Sequence, residues 1–171
     1  MKLTKYVLGT IFSCFMLMAC GGKEEKKKEG FSYEKKEETP EKETETTGIN
    51  NIVISGNDLM QFDKTEIRVK AGEKIKLTLR HKGKLDINVM GHNFVLLKKG
   101  VDLAGFAVKA ATAKDNQYIP KKTKDVIAYT SLIGAGQTTS VEFIAPEAGV
   151  YDYICSFPGH YGMMKGKFIV E

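Results

Sequence analysis

From Ile49 onward the chain alternates between short apolar runs and clusters of turn residues. Ile52-Val53-Ile54 opens the series, followed by Thr65-Glu66-Ile67-Arg68-Val69 and Lys74-Ile75-Lys76-Leu77-Thr78-Leu79. The last two alternate apolar and polar positions, the signature of a strand with one face buried. Gly56-Asn57-Asp58 and Ala71-Gly72-Glu73 supply the turns between them. Asn93 to Leu97, Gln137 to Ile144, Val150 to Cys155 and Lys167 to Val170 read as later strands. Residues 101–114 are richer in alanine and predict a short helix. Gly134-Ala135-Gly136 is a turn, because no helix start or Lys-Ser/Thr follows as a phosphate loop requires. Strands this short at this spacing predict an all-β, antiparallel sandwich over residues 48–171.

The chain before residue 48 follows other rules. Lys2 and Lys5 precede the apolar stretch from Tyr6 to Ala19, and residues 1–19 read as a secretory signal. The stretch is shorter than the roughly 20 residues that span a bilayer. Leu17-Met18-Ala19-Cys20 resembles a bacterial lipoprotein cleavage box, which makes Cys20 the lipidated first residue after cleavage. Gly21 in place of aspartate resembles lipoproteins sent to the outer membrane. Several acyl chains on one cysteine give stable anchoring where a single chain does not. Residues 20–47 hold seven lysines and nine glutamates, a composition that buries no apolar surface and predicts a disordered tether. Such a chain averages roughly 25–30 Å end to end. Lys23-Glu24-Glu25 also resembles the acidic tag of some surface-exposed lipoproteins. The expectation is a membrane-anchored lipoprotein, on the outer membrane, facing the periplasm or the cell surface.

The chain has 171 residues and 42% apolar content, enough for one domain with a core of its own. Its net charge is +5. The two lysines of the leader offset the two surplus acids of the tether, so the domain carries the basic excess. That excess favours acidic partners or an anionic surface. The lysines alternate with apolar residues along strands and form no block, which argues against nucleic acid. Cysteines fall at 14, 20 and 155. Cleavage before Cys20 removes Cys14, so Cys155 has no partner within the domain, and an unpaired cysteine in an exported protein calls for a reason.

Metal ligation is such a reason. Cys155-Ser156-Phe157-Pro158-Gly159-His160-Tyr161-Gly162-Met163-Met164 places a thiolate, an imidazole and two thioethers on one loop between strands. Pro158, Gly159 and Gly162 permit the tight path that converges such ligands. Met90-Gly91-His92-Asn93 offers a second imidazole at the start of a strand. Two histidines, one cysteine and a weak axial methionine form the ligand set of a blue-copper electron-transfer site. Composition alone leaves Met163 and Met164 both open as the thioether.

These segments resemble the azurin family of cupredoxins, and the resemblance covers nearly all of residues 50–171. Ser55-Gly56-Asn57-Asp58-Leu59-Met60-Gln61-Phe62 is similar to the family's first loop. Val126-Ile127-Ala128-Tyr129-Thr130-Ser131-Leu132-Ile133-Gly134 is similar to the segment after its helical flap. The resemblance implies a cupredoxin-like Greek-key β-sandwich with a short helical flap and one copper ion cycling between Cu(I) and Cu(II). It implies His92, Cys155 and His160 as equatorial ligands, Met164 as the axial one and the Gly91 carbonyl as a distant axial neighbour. Asn93 is expected to tie the ligand loops together through backbone hydrogen bonds. Phe157 is expected to pack over the site with its amide facing the sulfur. Phe94 stands where the family has tryptophan, Tyr129 replaces one of its non-ligand histidines, His81 matches the other, and the family's disulfide has no counterpart.

The function implied is single-electron transfer through His160, across an apolar partner patch of Met60, Leu85, Met90, Phe157, Pro158, Gly159, Gly162 and Met163. The partners expected are redox proteins in transient contact, the lipid bilayer through the anchor, and no nucleic acid; the domain is expected to be monomeric. An enzyme is not expected, because a Cys-His hydrolase needs an open site and an oxyanion hole. A copper reductase would need further histidines, and the chain has three in all. The alternative is copper storage or delivery on the same fold, told apart by loss of Cu(I) to a chelator instead of reversible cycling.

Overall fold

The computed structural model describes residues 48–171. The expected signal segment 1–19, the lipidation site Cys20 and the tether through residue 47 lie outside the described residues. The strands are β1 (Asn50–Gly56), β2 (Glu66–Val69), β3 (Lys74–His81), β4 (Val95–Leu97), β5 (Val126–Tyr129), β6 (Thr138–Ile144), β7 (Gly149–Ile154) and β8 (Lys165–Val170). They form a three-stranded sheet in the order β1-β3-β6 and a five-stranded sheet in the order β2-β8-β7-β4-β5. The all-β sandwich expected from the sequence is the observed architecture.

The antiparallel expectation needs one correction. β1 pairs with β3, and β2 with β8, in parallel, while the remaining pairs are antiparallel. The reason is topological. β1, β2 and β3 alternate between the two sheets, so β1 and β3 enter the same sheet running the same way.

Alternation along β3 sends Ile75, Leu77 and Leu79 inward, all at 0% exposure. They meet Ile67, Phe94, Leu96, Tyr153 and Phe168 of the facing sheet in one core. Truncating such a residue to alanine costs about 2–5 kcal/mol. A second cluster lies on the outer side of the five-stranded sheet, where Val95, Leu97 and Ile154 pack against Phe106, Ala110 and Ile119. β4 is therefore buried on both faces, which is why its sequence is a continuous apolar run and not an alternating one.

The cover over that outer face is helix α2 (Leu103–Ala111) and a 3-10 turn at Lys114–Asn116. Alanine favours the helix, and the Asp102 carboxylate caps it by accepting from the Ala104 and Gly105 amides. A four-residue helix, α1 (Ile87–Met90), is capped likewise by Asp86 and precedes the first ligand loop. Among the described residues no helix is long and apolar enough to cross a membrane.

The fold places the ligand segments side by side. β4 begins three residues after His92 and β7 ends one before Cys155, and Val95 pairs with Ile154 between them. The loop 155–164 is closed at its base by the Ile154–Lys165 pair.

Candidate metal centre

The loop after β7 folds back on itself through its own backbone. The Cys155 N–H donates to the Met164 carbonyl at 2.9 Å, and the His160 N–H donates to Phe157 at 3.0 Å. Met163 and Met164 both donate to the His160 carbonyl, at 3.1 and 2.8 Å. Gly159, at φ +83°, takes the left-handed turn this path needs. Cys155, His160 and Met164 are thereby turned inward, at 0%, 3% and 0% exposure, while Met163 stays 60% exposed. The two methionines that composition left equivalent face opposite ways.

His92 is fixed from the other side. Its backbone N–H and C=O both pair with Ile133 at 2.9 Å. Its Nε2 lies 2.9 Å from the Asn57 carbonyl and its Nδ1 3.0 Å from the Gly91 carbonyl; a neutral ring donates to only one of these two acceptors, so the other nitrogen faces an oxygen with its lone pair. Cys155 Sγ lies 4.0 Å from Nδ1. The Gly91 oxygen lies 3.8 Å from the same sulfur, and His160 Nδ1 lies 3.6 Å from it. The ligand atoms of His92, Cys155 and His160 are all within 4.8 Å of one another. A lone pair held against a carbonyl oxygen in a buried space is unfavourable by itself, and a cation among these atoms turns the same arrangement into an attractive one. The axial side is equally close: a Cβ on Gly56 would fall 2.7 Å from both His92 Cδ2 and Met164 Cε.

The electrostatics leave this donor set poised for a metal and little else. Burial pushes the Cys155 thiol up to about 12, partly offset by the backbone N–H groups of Asn93 and Phe157 that point at its sulfur. Burial holds His160 down to about 4, with the charges of His92 and His81 adding to it. Burial likewise lowers His92. Both imidazoles are then neutral donors near pH 7. The mixture of imidazole, thiolate and thioether suits copper in both oxidation states.

Around these donors, Asn93 joins the two ligand loops. Its tie between the ligand loops runs chiefly through the side chain: Oδ1 accepts from the Ser156 N–H at 2.9 Å, and Nδ2 donates to Ser156 Oγ at 2.9 Å. An amide side chain offers both a donor and an acceptor across the gap. Phe157 packs with its ring centroid 4.7 Å from that of His160. It also closes over Gly91, where a Cβ would lie 2.9 Å from Phe157 Cδ2. Phe94 sits in the core at 0% exposure, and Tyr129 is 46% exposed.

Of the expected patch, Leu85, Pro158, Gly159, Gly162 and Met163 are exposed, Met60 and Met90 are half-buried, and Phe157 is buried. Leu59 and Val89, at 66% and 61% exposure, are exposed apolar neighbours in sequence that the patch did not include. The sequence reading also missed the roles of Gly56, Asn57 and Ser156. The Ser-Gly-Asn turn was visible, but nothing in it announces a close approach to a ligand ring. His81, without an identified partner in the sequence, accepts from the Gly83 N–H at Nδ1 (3.0 Å) and donates from Nε2 to the Met90 carbonyl (2.7 Å).

The model of copper binding proteins, plastocyanin/azurin family, matches residues 49–171. Among curated proteins, azurin-1 of Alcaligenes xylosoxydans xylosoxydans is 46% identical over 121 residues, covering 68% of this chain and 93% of that protein. Azurin of Pseudomonas aeruginosa is 40% identical over 126 residues, 71% of this chain and 84% of its own length. Among solved structures, the blue copper protein auracyanin A of Chloroflexus aurantiacus is similar, with a TM-score of 0.67 and 34% identity. That similarity covers 72% of this chain and all of auracyanin A. The match to the family model takes in His92, Cys155, His160 and Met164, which together make a site for one copper ion, and the chain belongs to the plastocyanin/azurin family of copper-binding proteins.

Proposed function

We propose that the protein is a single-electron carrier with one type 1 copper site, held at a bacterial membrane by lipid on Cys20. The observation that carries the reading is the preformed, buried donor set, in which His92, Cys155 and Met164 are at 0% exposure and His160 alone keeps a little, at 3%. Bound copper supplies a one-electron couple. The chain's own residues do the rest. The His92–Asn57 hydrogen bond and the loop's backbone bonds hold the donors in place, so little rearrangement accompanies a change of charge. Phe157, Met164 and Gly91 exclude water from the sulfur.

Electrons enter and leave through His160. The exposed residues Leu85, Pro158 and Met163 offer an apolar contact, of the small and transient kind that electron-transfer encounters use. The partners are redox proteins, and the domain works as a monomer, not as an enzyme. The storage or delivery alternative is disfavoured by burial, since Cys155 and Met164 offer no exposed surface to an accepting ligand. The lipid-modified Cys20 and the charged tether place the domain on the outer membrane, at the periplasmic or cell-surface side.

The test is the visible and electron paramagnetic resonance spectrum of the protein loaded with Cu(II). An intense blue band with small hyperfine splitting is expected, together with reversible one-electron cycling without loss of metal to a Cu(I) chelator. A pale, ordinary Cu(II) spectrum would refute the type 1 site, and ready loss of Cu(I) would favour delivery. Met163→Lys is expected to slow electron exchange with the spectrum unchanged. Cys20→Ala is expected to release the protein from the membrane fraction.

A further inference from the structure

Two consecutive residues of the flap, Gln117 and Tyr118, adopt left-handed backbone at φ 56° and 62°. Neither is glycine or asparagine, and for a bulky residue such as tyrosine this conformation is a genuine outlier. Strain of this kind persists only where the surroundings hold it in place. Here the hold is visible. The Gln117 N–H donates to the Lys114 carbonyl at 3.0 Å and the Tyr118 N–H to the Ala113 carbonyl at 2.9 Å. Gln117 Oε1 accepts from the Leu132 N–H at 2.8 Å, and the Tyr118 ring meets Phe157 edge-on at 5.1 Å.

The carbonyls of the pair both point at the ligand segments. Gln117 O accepts from Asn93 Nδ2 at 3.1 Å, and Tyr118 O accepts from Ser156 Oγ at 2.8 Å. Asn93 and Ser156 are the two residues joined across the ligand loops, and they flank the metal donors His92 and Cys155 in sequence. Asn93 also directs its own N–H at the Cys155 sulfur, as Phe157 does.

We infer that Gln117 and Tyr118 are positioning residues for the copper site: their left-handed pair aims two carbonyls that fix Asn93 and Ser156, and through them the N–H groups facing the Cys155 sulfur. The inference rests on the reading of the site as a copper centre. N–H donation to a thiolate draws charge away from the metal and favours Cu(I), so hydrogen bonding around the sulfur tunes the potential. The flap thus helps to set the potential without touching the metal.

Gln117→Val separates this from a purely structural role, because a β-branched residue resists φ near 56° and cannot accept from Leu132. In the copper-loaded protein the potential should fall, with the equilibrium constant for reduction dropping about fivefold, the weight of one ordinary hydrogen bond. The hyperfine splitting should change with it. In the copper-free protein the Ser156 N–H should exchange with solvent faster. Gln117→Glu, which keeps an oxygen for Leu132, should restore all three. Lys122→Gly is the control: Lys122 is also left-handed, at φ 58°, but among the described residues no hydrogen bond joins it to either ligand segment, so its potential should stay at the parent value. If the valine variant does not fold, Gln117→Ala should show the same shifts at smaller size. A blue parent protein whose variants unfold more easily but keep their potential, hyperfine splitting and Ser156 exchange would overturn the inference. A parent that is not blue would instead overturn the reading of the site.

Discussion

The imidazole of His81 lies flat against that of His92, with ring centroids 4.3 Å apart and planes 11° from parallel. His92 is one of the metal donors, and His81 has no donor role. Its two nitrogens are already engaged with Gly83 and Met90, so it backs the ligand ring as a fixed plate between β3 and the ligand loop. His81→Ala should leave a cavity and strand the Gly83 N–H and Met90 carbonyl. The expected loss is about 2–4 kcal/mol of folding free energy, read by denaturant unfolding of the copper-free protein. His81→Phe, which keeps the plate but not the hydrogen bonds, should lose clearly less. Equal losses for the two would mean that the hydrogen bonds alone matter.

Gly56 ends β1 directly against the site, and any side chain there meets His92 and Met164 at 2.7 Å. A contact under 3 Å forces one of the two to move. Gly56→Ala is therefore expected to bind copper with an altered spectrum, displacing Met164 first because its thioether is the more flexible end. An unchanged electron paramagnetic resonance spectrum would show that the strand yields instead of the ligands.

Copper-free and copper-loaded protein should respond to acid differently. Burial, aided by the His92 and His81 charges, holds His160 at about 4 in the folded state, against about 6.5 when unfolded. The unfolded chain therefore binds the extra proton more readily throughout that window. Stability of the copper-free form is full above pH 6.5 and falls as the pH drops towards 4, by on the order of 2–3 kcal/mol from this group. Metal on Nδ1 blocks the proton and should flatten the curve. Unfolding midpoints measured from pH 7 to pH 4 with and without copper test this; parallel curves would remove His160 as the cause.

Much of the site was legible because its chemistry is concentrated. A thiolate, an imidazole and two thioethers within ten residues, broken by Pro158, Gly159 and Gly162, have few other readings. The choice between Met163 and Met164 needed the family's spacing, and in the fold it follows from burial, which turns Met164 inward and leaves Met163 exposed. Strands with clear alternation, such as Lys74–His81, were legible for the same reason that they bury one face. β5 was not read as a strand, because its four residues lie at an edge and run from half-buried Val126 and Ile127 to buried Ala128 and exposed Tyr129, with no alternation of apolar and polar types. The parallel pairings were hidden as well, since they depend on which sheet each strand joins. The positioning contacts were the least legible. His81 against His92 and Gln117 to Leu132 join separate segments through geometry that no local pattern encodes.

The pairing of Val95 with Ile154 divides the site into a rigid half and a movable one. His92 and Cys155 hang from neighbouring central strands of the larger sheet, and one of those strands, β4, is buried on both faces. Separating these two donors means parting strands at the middle of the sheet, which is an event of the same scale as losing the fold. An ion held between them would then leave by way of the loop that carries His160 and Met164, while His92 and Cys155 keep their spacing.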